Sequence, residues 1–267
     1  MVLSKGKLVF AFIAVAVSTA AMLARAARAE AQEIVAEQRA PDPAITAAVA
    51  GDYLPNTLTA RVGATAVFAF GSGGYDSSRR VPLIDSAVEA HIWGPFALRA
   101  QSTYSNDTTR MRPSIGGRVQ LLRQEAHGVD GTLTVFFKTE GFTETEGEIE
   151  TFASVGRKFE HVAVLGNAVY GQDPEGTERD GEFRVAAYHQ SGKFVLGLDS
   201  RLRFAIGTQH GHAATTEPKF DFVAGGVATF AIGPLALLAE AGPSALQMSG
   251  ADLRAGVAAL AGLGAAF

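Results

Sequence analysis

The chain has 267 residues, with 23 Lys and Arg against 27 Asp and Glu, a formal net charge of −4 and 47% hydrophobic residues. This acidic balance argues against a nucleic-acid partner. The chain has no cysteine, which excludes disulfides and thiolate metal ligands.

Residues 1–29 have the three parts of a secretory signal peptide. Two lysines precede an apolar run from Leu8 to Leu23, and small-residue cleavage sites follow between residues 24 and 29. The apolar run is shorter than the ~20 residues that a membrane-spanning helix needs. We expect cleavage before Glu30, which removes two Lys, two Arg and no acidic residue, so that the exported chain is more acidic.

Residues 30–56 follow a different pattern from the rest of the chain. Pro41-Asp42-Pro43 and the stretch from Ala44 to Val49 predict a flexible lead with at most a short helix.

From Leu58 onward the dominant period of the sequence is two. Every even position from Leu58 to Phe70 is apolar, whereas the odd positions include Thr59, Arg61 and Thr65. Such alternation places the apolar side chains on one face of a β-strand. The same pattern predicts twelve strands, at about 58–70, 82–92, 96–105, 113–124, 132–140, 148–158, 162–171, 182–190, 194–207, 219–231, 235–242 and 252–267.

The predicted connections alternate between tight and long. The tight ones lie at 93–95, 127–131, 159–161, 191–193 and 232–234, and the longer polar ones at 71–81, 106–112, 141–147, 172–181, 208–218 and 243–251. Gly71-Ser72-Gly73-Gly74, in the first long connection, is interpreted as a flexible turn, because it lacks the Lys and Ser or Thr of a phosphate-binding loop.

The last strand carries the most specific pattern. Counting back from Phe267, every second residue to Leu253 is apolar, and the opposite face includes Gly262, Gly264 and Arg254. This strand resembles the C-terminal strand of bacterial outer-membrane β-barrel proteins, which typically ends in Phe and is read by the barrel-assembly machinery. With the signal peptide and the alternation, the resemblance covers most of the chain, although it identifies no specific family.

The resemblance implies an all-β fold, an antiparallel up-and-down transmembrane β-barrel of about 12 strands, within a range of roughly 10–14. It also implies an outer-membrane location, contact with outer-membrane lipid and lipopolysaccharide, and Phe267 as the assembly signal. The expected organisation is a signal peptide over 1–29, a periplasmic N-terminal segment or short plug over 30–56, and the barrel over 57–267.

In such a barrel the apolar face of each strand meets lipid and the polar face points inward. The candidate lumen-lining residues are Arg61, Glu89, Arg99, Arg118, Glu140, Arg184, Asp199, Arg201, Arg203, Glu240 and Arg254. Rings or tracks of Arg favour anions in a pore, but neighbouring acids can also neutralise them as structural pairs, and both interpretations stay open. A soluble barrel or sandwich is the other fold, and it would need a core built from faces rich in Ala and Gly.

Other patterns give weaker indications of chemistry. His189-Gln190-Ser191 resembles the His-x-Ser spacing of outer-membrane acyl hydrolases, but no third residue orients the histidine. His210 and His212, near Glu217, lack a third strong metal ligand. We therefore expect no catalytic residue, no metal and no cofactor.

The leading functional hypothesis is a small porin-like channel for polar solutes. The alternative is a closed structural or surface-interaction barrel without transport, and an outer-membrane acyl hydrolase is the third.

Overall fold

The computed structural model describes residues 62, 67–105, 110–139, 141–142, 147–172, 178–208 and 218–266. Twelve strands in these residues form one closed antiparallel barrel, in which consecutive strands pair and β1 pairs with β12. The predicted fold is therefore confirmed. The strands are β1 (Val67–Asp76), β2 (Val81–Trp93), β3 (Phe96–Ser105), β4 (Arg110–Leu122), β5 (Asp130–Thr139), β6 (Gly147–Lys158), β7 (Val162–Gln172), β8 (Glu178–Ser191), β9 (Phe194–Thr208), β10 (Pro218–Ile232), β11 (Leu235–Met248) and β12 (Arg254–Ala266). The segments predicted at 1–29 and 30–56 lie outside the described residues.

The two-residue alternation separates the inner and outer faces of the wall. In β9, Asp199 and Arg201 point inward and are 2% and 1% exposed, whereas Leu196 and Leu198 point outward and are 57% and 69% exposed. A barrel with large apolar side chains outside and charged ones inside has the arrangement of a membrane barrel.

The two ends of the barrel differ in their connections. Three two-residue connections, 94–95, 192–193 and 233–234, begin with a glycine whose φ lies between 53° and 60°, a conformation that residues with a Cβ rarely adopt. We call this end the turn end. It also contains the one-turn helix α1 (Gln124–His127) and the connection 159–161. No helix in the described part of the chain is long and apolar enough to cross a membrane.

The opposite end, called the loop end, has the connections 77–80, 106–109, 140–146, 173–177, 209–217 and 249–253. These are longer on average than those of the turn end, as the sequence predicts. The first differs most from its prediction, since it has four residues instead of the predicted eleven.

Strand β1 differs from its prediction, because Gly71 to Gly74 are strand residues and not a flexible turn. A Cβ on Gly74 would collide with the carbonyl oxygen of Ala259 and lie 2.7 Å from Leu260 Cα in β12. The glycine therefore marks a close approach between strands. A tight turn follows, in which Ser78 N and Oγ each donate to Asp76 Oδ1 at 2.8 Å.

The side chains of β1 that point into the barrel also differ from the prediction. Phe68 and Phe70, expected on the lipid face, point inward and are 7% and 6% exposed, with ring centroids 6.5 Å apart. The outward positions hold the small residues Ala69, Gly71 and Gly73. The prediction was wrong because it took the more apolar face as the outer one, whereas the inner wall has an apolar region of its own.

Strand β11 is longer than predicted, because the expected connection at 243–251 begins only after Met248. Pro243 lies within the strand and has Val257 of β12 as its register partner. On the side of β10, Ser244 and Ala241 have register partners, but the two residues between them do not. Because proline has no N–H, it fits where the ladder is interrupted, and here it does not end the strand.

The chain just before β1 contacts the inner wall. Val62 is 3% exposed, and its N–H donates to Gln120 Oε1 of β4 at 2.6 Å.

Candidate functional site: the inner wall of the barrel

A first arginine group lies on β2, β3 and β4. Arg99 and Arg118 contact the same carboxylate oxygen, Glu89 Oε2, at 3.2 and 2.6 Å. Arg99 Nε also donates to Gln101 Oε1 at 3.2 Å. Arg99 Nη2 is buried and has no hydrogen-bond partner among the described residues. Two guanidinium groups therefore contact one carboxylate oxygen here.

A second arginine group lies across the lumen, on β8, β9 and β10. Arg184 contacts Glu182, and Arg201 contacts Asp221 and lies 3.9 Å from Glu182 Oε2. Asp221 also binds Arg79, from the turn between β1 and β2. Three acids and three arginines thus form one network, because Arg79 Nε also lies 3.6 Å from Asp76 Oδ2.

The two groups approach each other inside the barrel. Arg184 of β8 is close enough to repel the charge of Arg99 of β3, although five strand positions separate the two strands in the wall. Arg99, Arg118, Arg184 and Arg201 are only 1–3% exposed. Like charges from opposite walls therefore point into the lumen.

A third charged group occupies the wall nearer the loop end. Lys138 Nζ lies 3.2 Å from Glu150 Oε1 and 3.7 Å from Glu148 Oε2, and Arg112 lies 3.9 Å from the same Glu148 oxygen. Two basic and two acidic side chains therefore lie together here.

The inner wall also has an apolar region. Its buried side chains include Phe68, Phe70, Leu83, Tyr188, Val195, Val227, Leu238 and Leu260. Strands β1, β2 and β8 to β12 contribute these residues, and a smaller apolar group of Phe136, Phe152 and Val169 lies on β5 to β7.

The structure places most of the candidate lumen-lining residues on the inner wall. These are Glu89, Arg99, Arg118, Arg184, Asp199, Arg201, Arg203 and Glu240, of which Arg203 binds Asp180 and has a side chain 23% exposed. Arg254 follows the inward register but is exposed at the loop end. Arg61, Glu140 and Phe267 lie outside the described residues.

Some inner-wall residues were missed by the sequence analysis. Asp76 and Arg79 fell in a predicted loop, and Arg79 binds an acid 142 positions away, for which the local sequence has no signal. Tyr188 could have been found, because it continues the two-residue period from Arg184. Its hydroxyl donates to Asp199 Oδ2 at 2.7 Å.

In the described residues, the histidine patterns do not form a catalytic or metal-binding arrangement. His189 is exposed on the outer face at the turn end, and its ring centroid lies 6.2 Å from that of His161. His210, His212 and Glu217 lie outside the described residues. Within the described residues, no group of three or more His, Cys, Asp or Glu side chains is arranged to hold a metal ion.

Comparison with solved structures gives the same fold. A NanC porin superposes with a TM-score of 0.55 at 10% sequence identity, over 74% of this chain and 100% of the porin. An outer-membrane channel from Pseudomonas putida F1 has a TM-score of 0.46 at 12% identity, over 82% of this chain and 99% of that channel. The outer-membrane channel DcaP of Acinetobacter baumannii has a TM-score of 0.44 at 9% identity, over 75% of this chain and 71% of DcaP.

No protein-family model matches the sequence, and no curated protein matches it. The chain therefore has a porin-like β-barrel fold, without assignment to a specific family.

Proposed function

We propose that this protein is a small outer-membrane channel for polar solutes that favours anions. The convergence of arginines from opposite walls inside a closed barrel is the observation that carries the proposal. A permeating anion can exchange water for guanidinium donors there, and Arg-lined constrictions favour anions in a pore.

The first arginine group is the best candidate for the contact with the solute. Arg99 and Arg118 contact the same oxygen of Glu89, and Arg99 Nη2 has no hydrogen-bond partner in the described part of the chain. A carboxylate or phosphate group on a solute would supply the missing acceptor.

The outer face supports the proposed location. Large exposed apolar side chains surround the barrel, such as Leu98, Ile115, Val185 and Val257, each more than half exposed. We propose that they contact outer-membrane lipid and lipopolysaccharide, with the turn end in the periplasm, after insertion by the barrel-assembly machinery.

The channel proposal is tested by single-channel recording in planar bilayers under a KCl gradient. Wild-type protein is expected to conduct with a reversal potential that indicates anion preference. The double substitution Arg99→Gln and Arg118→Gln is expected to reduce that preference, because it removes two positive charges from the inner wall. Arg254→Gln, at the exposed rim, serves as the control and should change the reversal potential little.

A closed barrel without transport is the second candidate. The burial of the four converging arginines and the acids bound to them favour it, because paired buried charges can fill a lumen. Wild-type protein that is folded, as shown by heat-modifiable migration on a gel, but silent in bilayers would support this candidate and contradict the channel.

The NanC porin has the same fold, and the exposed His189 lacks catalytic partners in the described residues. We therefore propose no enzymatic activity.

A further inference from the structure

Glu240 of β11 differs from the other acids of the inner wall. Its side chain is buried, with the residue 4% exposed, and neither carboxylate oxygen has a hydrogen-bond partner among the described residues. By contrast, Glu89, Glu182 and Asp221 each contact an arginine. A buried, charged carboxylate without a partner is strongly unfavourable, so Glu240 binds either a proton or another cation.

A second carboxylate lies beside Glu240. Gly225 of β10 is the register partner of Asp199 on β9. The Glu240 side chain, from β11 on the opposite side of β10, lies against the same glycine. A Cβ on Gly225 would lie 2.9 Å from Glu240 Cγ and 3.0 Å from its Oε1. Asp199 is near enough to repel the charge of Glu240. Glycine at position 225 therefore allows the two acids to approach.

Tyr188 holds the second carboxylate in place. Its ring lies against Gly197, where a Cβ would collide with it, and its hydroxyl donates to Asp199 Oδ2 at 2.7 Å. This hydrogen bond engages one oxygen of Asp199 and orients the carboxylate on the wall.

The described surroundings do not balance the charge of Glu240. The register partners of Glu240 are Val227 and Leu260, both apolar and buried. Arg201 attracts Glu240, but its guanidinium is bound to Asp221 and also lies near Glu182. Its single charge is thus shared among several acids.

We propose that the carboxylates of Glu240 and Asp199 bind one hydrated divalent cation, Mg²⁺ or Ca²⁺, on the inner wall. Both are hard cations that take oxygen ligands, and Mg²⁺ commonly keeps several waters while bound by one or two carboxylates. Two carboxylates therefore suffice, with water completing the coordination. The bound cation supplies the charge that Glu240 lacks, and the proposal is independent of whether the barrel conducts.

The probe for this site is Tb³⁺, added to the folded barrel in detergent. Tyr188 lies next to the site and can transfer excitation energy to bound Tb³⁺, so we expect saturable sensitised emission that Ca²⁺ or Mg²⁺ displaces. Competition by the two ions shows which of them binds more tightly. Tyr188→Phe is expected to reduce the sensitised emission while binding persists under direct excitation.

The decisive variant is Glu240→Gln, which should weaken Tb³⁺ binding at least about tenfold, because it removes one of two charged ligands. Glu150→Gln, the same change at another buried acid of the wall, should retain the affinity. Gly225→Ala provides a second test if Glu240→Gln fails to fold, because its methyl group displaces the Glu240 side chain and should also weaken binding. Absence of saturable binding in the wild type, or equal affinity in folded Glu240→Gln, would overturn the proposal.

Discussion

Two arginines on the same face of β9 are expected to differ in their contribution to stability. Arg201 is 1% exposed and contacts two acids, whereas the side chain of Arg203 is 23% exposed and contacts Asp180. Arg201→Gln leaves buried acids undercompensated and should lower the free energy of unfolding by about 3–5 kcal/mol. Arg203→Gln removes a partly hydrated pair and should cost about 0–1 kcal/mol.

Urea unfolding of both variants in the same lipid or detergent provides the measurement. The two substitutions are identical and lie two residues apart, so each is the control for the other. Equal losses of stability would show that the charges of this wall are similarly hydrated, contrary to their different burial.

The inward position of these arginines could be predicted from the two-residue period, but their partners could not. Arg201 shares a face with Asp199 in the sequence, which makes that acid the obvious partner. In the structure, Arg201 contacts Asp221 and Glu182 on the neighbouring strands. Asp199 accepts a hydrogen bond from Tyr188. Such pairs depend on the register between strands, which a two-residue pattern within one strand does not determine.

At the scale of the strand, the two adjacent glycines of β1 provide a test of the contact with β12. A Cβ on Gly74 would overlap the backbone of β12, whereas a Cβ on Gly73 would meet nothing within 4 Å. Gly74→Ala should therefore destabilise the barrel by about 1–3 kcal/mol, as overpacking does. Gly73→Ala should have little effect.

The temperature at which the folded band disappears on a gel measures this difference. Both variants gain one methyl group on the same strand, so changes in chain flexibility are matched. A Gly74→Ala protein as stable as Gly73→Ala would mean that β1 and β12 are not as close as described.

The strands themselves were largely predictable, and the errors have physical causes. All twelve were predicted because their polar and apolar residues alternate. The ends of β1 and β11 were wrong because Gly71 to Gly74 and Pro243 were interpreted as loop signals. Inside a barrel wall, glycine also allows two strands to approach closely, and proline can occupy a position where the hydrogen-bond ladder is interrupted.

At the scale of the whole molecule, the orientation in the membrane can be tested by labelling. The chain has no native cysteine, so a single introduced thiol gives an unambiguous signal. Ala251→Cys, in an exposed connection at the loop end, should react with an impermeant maleimide added to intact cells. Lys193→Cys, exposed at the turn end, should react only after the outer membrane is permeabilised.

Labelling of disrupted cells is the control that both thiols are accessible to the reagent. If Lys193→Cys reacts in intact cells and Ala251→Cys does not, the orientation is the reverse of the proposed one. The roles of residues 30–56 and of Phe267 in assembly stay predictions, because both lie outside the described residues.

The pairing of β1 with β12 has a consequence for how the barrel folds. Eleven of the twelve strand pairs join consecutive strands, whereas Phe68 pairs with Ala266 at the other end of the sheet. Loop-closure entropy grows with the logarithm of loop length, so this contact costs about 3 kcal/mol more than a hairpin of a few residues. We therefore expect the local hairpins to form first and the seam to close last, which leaves both edges of an incomplete sheet open until the final step of folding.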